Sequence, residues 1–182
     1  MRARQVSAPQ KSKKRGSAAP GGPPPPEQDG LQGALSVCLR LLSYRMRSHW
    51  ELRRALERRG VPPHLAAAAL ERLGELGLVD DQEFASAWVQ ARMQGKALGS
   101  RGLLAGLAKL GVSREIAREV IAAQAPEQDQ LAAARQLATA RAGGQSLDRK
   151  LRARLFRLLV GRGFSYAVAD QALRDLERGG EP

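Results

Sequence analysis

From about residue 31 onward, leucine and alanine recur at steps of three and four, and charged residues fill most of the positions between them. Apolar side chains at that spacing fall on one face of a helix, so the pattern predicts amphipathic helices and no strands. Residues 1–30 break the pattern. They show no hydrophobic periodicity and run into Gly21-Gly22-Pro23-Pro24-Pro25-Pro26. A stretch of that kind cannot bury a core, and the prediction is a disordered, basic, proline-rich arm.

The helical part is self-similar. Gly60, Gly111 and Gly163 stand 51 and 52 residues apart and are followed by Val61, Val112 and Phe164. Eight and four residues before each glycine come Leu52 and Leu56, Leu103 and Leu107, Leu155 and Leu159. Each pair marks one face of a helix that the glycine closes in the left-handed conformation. Five, six and ten residues after each glycine come Leu65, Ala66 and Leu70, then Ile116, Ala117 and Ile121, then Val168, Ala169 and Leu173, so a second helix follows in every copy. A leading helix completes each unit through Leu35, Leu39 and Leu42, through Phe84, Trp88 and Ala91, and through Leu131, Leu137 and Ala138. The third copy matches least well. The chain is therefore read as all-α, with an arm at 1–30 and three tandem three-helix repeats at 31–79, 80–125 and 126–182. Units of about 45 to 50 residues are small to stand alone, so neighbours are expected to stack into an extended, curved array.

Capping chemistry marks the helix starts. Ser48-x-x-Glu51 has the spacing of a capping box, Ser113 and Ser165 stand where an N-cap oxygen is needed, and Pro63 fits a first helical position. Gly99-Ser100 is read as keeping a capping residue at the second central helix. Asp80-Asp81 could hold Mg²⁺ as adjacent carboxylates. The spacing Asp80-x-x-Glu83 also suits a cap on the helix carrying Phe84, and capping is the reading adopted.

Charge changes this picture from a helical array to a binding surface. Thirty Lys and Arg stand against eighteen Asp and Glu, a net charge of +12 with a pI near 11.1. Residues 1–30 hold six basic and two acidic residues, so about +8 remains on the helical body. A balance of that sign points to polyanions or to acidic protein surfaces. Arg45, Arg47, Arg53, Arg54, Arg58 and Arg59 surround the first central helix, and Arg149, Lys150, Arg152, Arg154, Arg157 and Arg162 surround the third, whereas the second has Arg101 and Lys109. The guanidinium fork suits phosphate and carboxylate alike, which leaves DNA and an acidic protein groove as joint candidates.

Catalytic apparatus is not visible. The single Cys38 excludes an internal disulfide and is expected as a small buried hydrophobe in a reducing cytoplasm. His49 and His64 lie in different elements, no four-ligand zinc set is present, and there is no GxxxxGK[ST], GxSxG or HExxH motif. No run of about 18 apolar residues could span a bilayer. The reading is a monomeric, non-enzymatic scaffold that uses no cofactor and engages no membrane.

Two neighbouring elements, Arg47-Ser48-x-x-Glu51-Leu52-x-x-x-Leu56-x-x-Arg59-Gly60-Val61 and Leu73-x-x-Leu76-Gly77-Leu78-Val79-Asp80-Asp81-x-x-Phe84-Ala85, resemble the RecX family of RecA regulators. The resemblance covers about residues 34 to 177 and leaves out the arm. It departs where family members usually have Gly-Pro and this chain has Gly99-Ser100. It implies three three-helix repeats lying in the helical groove of the RecA filament on DNA. There the protein would restrain RecA's ATPase, strand-exchange and coprotease activities, with DNA contacts that are weak and nonspecific. The alternative from a different class is a helix-turn-helix-like DNA-binding transcriptional regulator, which calls for a dimer and a paired site.

Overall fold

The computed structural model describes residues 27–95 and 97–179, and among these every regular element is a helix. The helices are α1 (Glu27–Leu42), α2 (His49–Glu57), α3 (Pro63–Glu75), α4 (Asp81–Gly95), α5 (Ser100–Lys109), α6 (Arg114–Gln124), α7 (Glu127–Ala142), α8 (Arg149–Gly161) and α9 (Tyr166–Arg178). They group as three units of three. The arm lies outside the described residues as far as residue 26, and its last four residues form the start of α1.

Extensive helix contact stays within a unit: α1 with α3, α4 with α6 and α7 with α9, each pair joined by the central helix of its unit. Each unit has its own apolar core. At their centres lie Leu52 and Leu56, Leu103 and Leu107, Leu155 and Leu159, none more than 1% exposed. Burying one leucine contributes roughly 1.5–3 kcal/mol, whereas a helix cap contributes about 1 kcal/mol. The six leucines therefore hold the fold, and the caps set where its helices begin.

The leading helices depart from the expected faces. In α1 the buried positions are Ala34 and Cys38, and Leu39 is half exposed. In α4 Phe84, Ala85 and Val89 are buried, Trp88 is partly covered, and Ala91 is exposed. In α7 the buried face is Ala134, Ala138 and Ala142, with Leu131 and Leu137 at its margin. In α1 and α7 the reason is close approach, since small side chains at the contact line let two helices pack closely and longer ones lie beside it, whereas α4 keeps Phe84 and Val89 at its contact.

The glycines close the central helices by one repeated hydrogen-bond pattern. Gly60 N donates to Glu57 O and Val61 N to Leu56 O; Gly111 N donates to Ala108 O and Val112 N to Leu107 O; Gly163 N donates to Val160 O and Phe164 N to Leu159 O. The three φ angles are +73°, +76° and +86°. This pairing of a short and a long turn bond is the Schellman termination, and the apolar residue after each glycine folds back on the leucine that accepts its amide.

Candidate functional site

The units meet through their turns. Ser48, the N-cap of α2, accepts from Glu51 N at 3.2 Å, while Glu51 Oε2 accepts from Ser48 N at 3.4 Å, closing the capping box. The same hydroxyl donates across the unit boundary to Leu110 O at 2.5 Å, and Ser48 is fully buried. Trp50, in the first turn of α2, lies on Gly111, where a Cβ would overlap its side chain. The second boundary repeats this plan. Gly99 N donates to Arg162 O at 3.1 Å, Arg101 N donates to Gly163 O at 3.0 Å, and Gly163 is pressed so closely on Gly102 that a Cβ would overlap its backbone nitrogen.

These contacts correct one expectation and extend another. The N-cap of α5 is Gly99, because backbone of Gly163 and Phe164 occupies the space a side chain would need. Ser100 instead donates through N (2.9 Å) and Oγ (2.6 Å) to Gln130 Oε1, and Gln130 Nε2 donates to Ala125 O at 2.7 Å, which ties α7 to the second unit. Asp80 caps its own helix, its Oδ1 accepting from Gln82 N at 2.7 Å and Glu83 N at 3.1 Å. Asp81 does what no local pattern signals: its Oδ1 accepts from His49 N at 2.8 Å, so a carboxylate of the second unit caps the central helix of the first. Both carboxylates are thus committed to backbone N–H groups. Ser113 and Ser165 cap α6 and α9 as expected.

Built on this frame, the twelve nominated basic residues separate into two groups. Arg45 forks onto Glu51 at 2.6 and 3.1 Å, and Arg152 bridges Asp170 and Glu177 at 2.8 Å each. Burial pulls the Glu51 carboxyl upward, but the bond and charge of Arg45 outweigh it and hold the group below its ordinary value. The hydrogen bond of Arg174, with the charges of Arg174 and Arg152, likewise holds the partly exposed Asp170 below its ordinary value. Arg47 donates to Leu41 O at 3.3 Å near the end of α1, where a cation complements the helix dipole. These three arginines serve the fold.

Of the other nine, all but Arg162 are exposed. On α2 the exposed side holds Arg53, Arg54 and, at its end, Arg58, with Arg54 stacked 4.9 Å over Trp50. Arg59 donates to Ala55 O of its own helix at 3.0 Å. On α8, Arg149, Lys150, Arg154 and Arg157 are exposed, and Lys150, Arg154 and Arg157 follow one another at helical spacing. Arg162 is half-buried at the second junction. Among the described residues none of these nine forms an ion pair. The central helix α5 offers Lys109 and Arg101, the latter 5.7 Å over the ring of Tyr166, which stacks on Phe156. The geometry thus presents two outward basic surfaces joined by a unit whose corresponding face is largely apolar and small.

Burial raises the Cys38 thiol, as suits a core residue. Among the described residues no group of three or more His, Cys, Asp or Glu is placed to hold a metal ion, and no helix is long and apolar enough to cross a membrane.

Comparison with known proteins matches three successive family models, the first, second and third three-helix domains of RecX, over residues 34–73, 80–121 and 127–173. The regulatory protein RecX of Thermobifida fusca is 38% identical over 145 residues, which span 78% of this chain and 77% of that protein. The regulatory protein RecX of Streptomyces coelicolor is 35% identical over 159 residues, spanning 85% and 83%. A crystal structure of RecX from Lactobacillus salivarius shares the fold, with a TM-score of 0.77 at 23% identity over 82% of this chain and 98% of that one.

Proposed function

The chain belongs to the RecX family of regulatory proteins, and on that premise we propose that it regulates homologous recombination and the SOS response by binding the groove of the RecA–DNA filament. In this reading it inhibits RecA's ATPase, strand-exchange and coprotease activities. The observation that supports it is the division of the arginines: Arg45 and Arg152 are committed to carboxylates of the fold, while Arg53, Arg54 and Arg58 at one end and Lys150, Arg154 and Arg157 at the other are exposed and form no ion pair among the described residues. Two cationic surfaces on one extended scaffold suit a long anionic or acidic partner better than a compact one.

The protein acts as a cytoplasmic monomer, by occupancy rather than by chemistry, and needs no cofactor. Contacts to DNA are nonspecific and weaken steeply with salt, because they release counterions without reading bases. The test is ATP turnover by RecA on single-stranded DNA. Adding the folded chain at concentrations comparable to RecA suppresses turnover. Unchanged turnover across that range overturns the proposal.

A further inference from the structure

The two junctions share a plan that the first unit carries without its counterpart. In each, the carbonyl just before the glycine, Leu110 O or Arg162 O, receives a donor from the N-cap residue of the preceding unit's central helix, Ser48 Oγ or Gly99 N. The glycine then lies flat beneath the first turn of that helix. A helix N-terminus meets a helix C-terminus, so the partial charges of the two ends attract. The first unit has the same turn, Arg59-Gly60-Val61, with the same φ and the same pair of backbone bonds. Among the described residues no further three-helix unit stands before it. Gly60 is exposed, and a Cβ there would meet nothing within 4 Å among the described residues.

The filled copies define what such a turn accepts: the start of a helix with a small N-cap residue able to donate to Arg59 O. Charge supplies the rest. Arg58 and Arg59 flank the turn and Arg54 lies one helical turn back, so carboxylates in the first turn of the incoming helix complete the match. A second copy of this chain is a poor fit. Its free helix start is α8, which is 13 residues long against 9 and 10 for α2 and α5 and begins Asp148-Arg149-Lys150, setting cations against Arg58 and Arg59. The chain's own residues 1–26 carry six basic residues and no acidic one, and are disfavoured for the same reason.

We propose that the Arg59-Gly60 turn docks the start of a helix in a partner protein, one with a small N-cap residue and carboxylates in its first turn. The inference rests on the preceding reading only for the choice of partner, a recombinase protomer in the filament. Gly60→Asn tests it, because asparagine tolerates the left-handed conformation and puts an amide where the helix start would sit. The matched control is Gly77→Asn, at an equally open turn with φ +66° and the same bond pattern, Gly77 N to Gly74 O and Leu78 N to Leu73 O. Both full-length variants are titrated onto RecA filaments on single-stranded DNA, with thermal melts alongside.

Gly60→Asn weakens binding by about tenfold or more, as occlusion of a central contact does, while Gly77→Asn stays within about twofold and the two melt alike. Equal affinity of the two variants overturns the inference. Failure of the unaltered chain to bind removes the preceding reading and this choice of partner with it. An equal loss on DNA without RecA makes the turn a phosphate site and overturns the inference too. So does a change on Gly60→Asn alone in hydrogen exchange across 1–26 or in sedimentation, which would assign the turn to the arm or to a second copy.

Discussion

Gly60 and Gly111 share a backbone conformation, a pair of turn hydrogen bonds and a valine successor, yet Gly111 lies under Trp50 of the neighbouring unit while Gly60 lies open. One residue type at one repeat position therefore answers two separate demands. The first is local, a left-handed φ that only glycine adopts freely. The second is a close approach between units, which has no local signature. The array is held together by the second, because the extensive helix contacts stay within units.

Substitution separates the two demands. Gly163→Ala has the largest expected effect, since its Cβ meets the backbone of Gly102, which cannot swing aside, and a loss of about 3 kcal/mol or more follows from overlap added to φ strain. Gly111→Ala should cost somewhat less, because the obstacle there is a side chain, Trp50. Gly60→Ala should lose only the conformational term, about 1–2 kcal/mol. Urea unfolding of the three variants checks the order, and a Gly60→Ala loss as large as that of Gly163→Ala would break the comparison.

Ser48 and Ser113 allow a gentler version of the test. Both cap a helix, but Ser48 also donates to Leu110 O across the boundary. Ser113→Ala should cost about 1 kcal/mol and Ser48→Ala about 2 kcal/mol, because the second leaves a buried carbonyl without its donor. Equal losses in urea unfolding would mean that the junction bond contributes nothing.

The smallest expected effect is on pH dependence. Arg45 holds the folded-state pKa of Glu51 below its ordinary value of 4.5, so the stabilisation is present above that pH and is lost as pH falls through the lower folded value. Unfolding free energy measured from pH 6 down to pH 3 should decline in that window, and Glu51→Gln should flatten the decline. The equally directed shift of Asp170 contributes little, since that carboxylate lies near the surface and is screened by solvent.

The central helices and their caps were legible in the sequence because both are local. Leu52 and Leu56 lie one turn apart, the glycine follows at fixed distance, and a serine oxygen reaches an amide three residues on. Leu39 departs from its expected face because a pattern of large apolar residues passes over a contact line made of Ala34 and Cys38, as it does the one made of Ala134, Ala138 and Ala142, whereas Ala91 lies off the face that Phe84, Ala85 and Val89 form. Asp81 was read as part of a local cap, while its partner His49 N lies 32 residues away. The basic surface was legible as a count and not as a site: Arg45 and Arg152 look like their neighbours in sequence and differ only in the carboxylates that folding brings to them.

That partition is what the functional account rests on, and a single titration addresses it. Full-length chains carrying Arg54→Glu with Arg58→Glu, Arg154→Glu with Arg157→Glu, or Arg114→Glu with Arg118→Glu are compared for affinity to the RecA filament on single-stranded DNA at fixed salt. All six arginines are exposed, so the charge change is the same, and the pairs differ in place: the outer two lie on the central helices α2 and α8 and the middle one on α6. The account predicts a loss of about tenfold or more for each outer pair and less than about threefold for the middle pair. Equal losses at all three places would show that net charge alone drives binding and would contradict it.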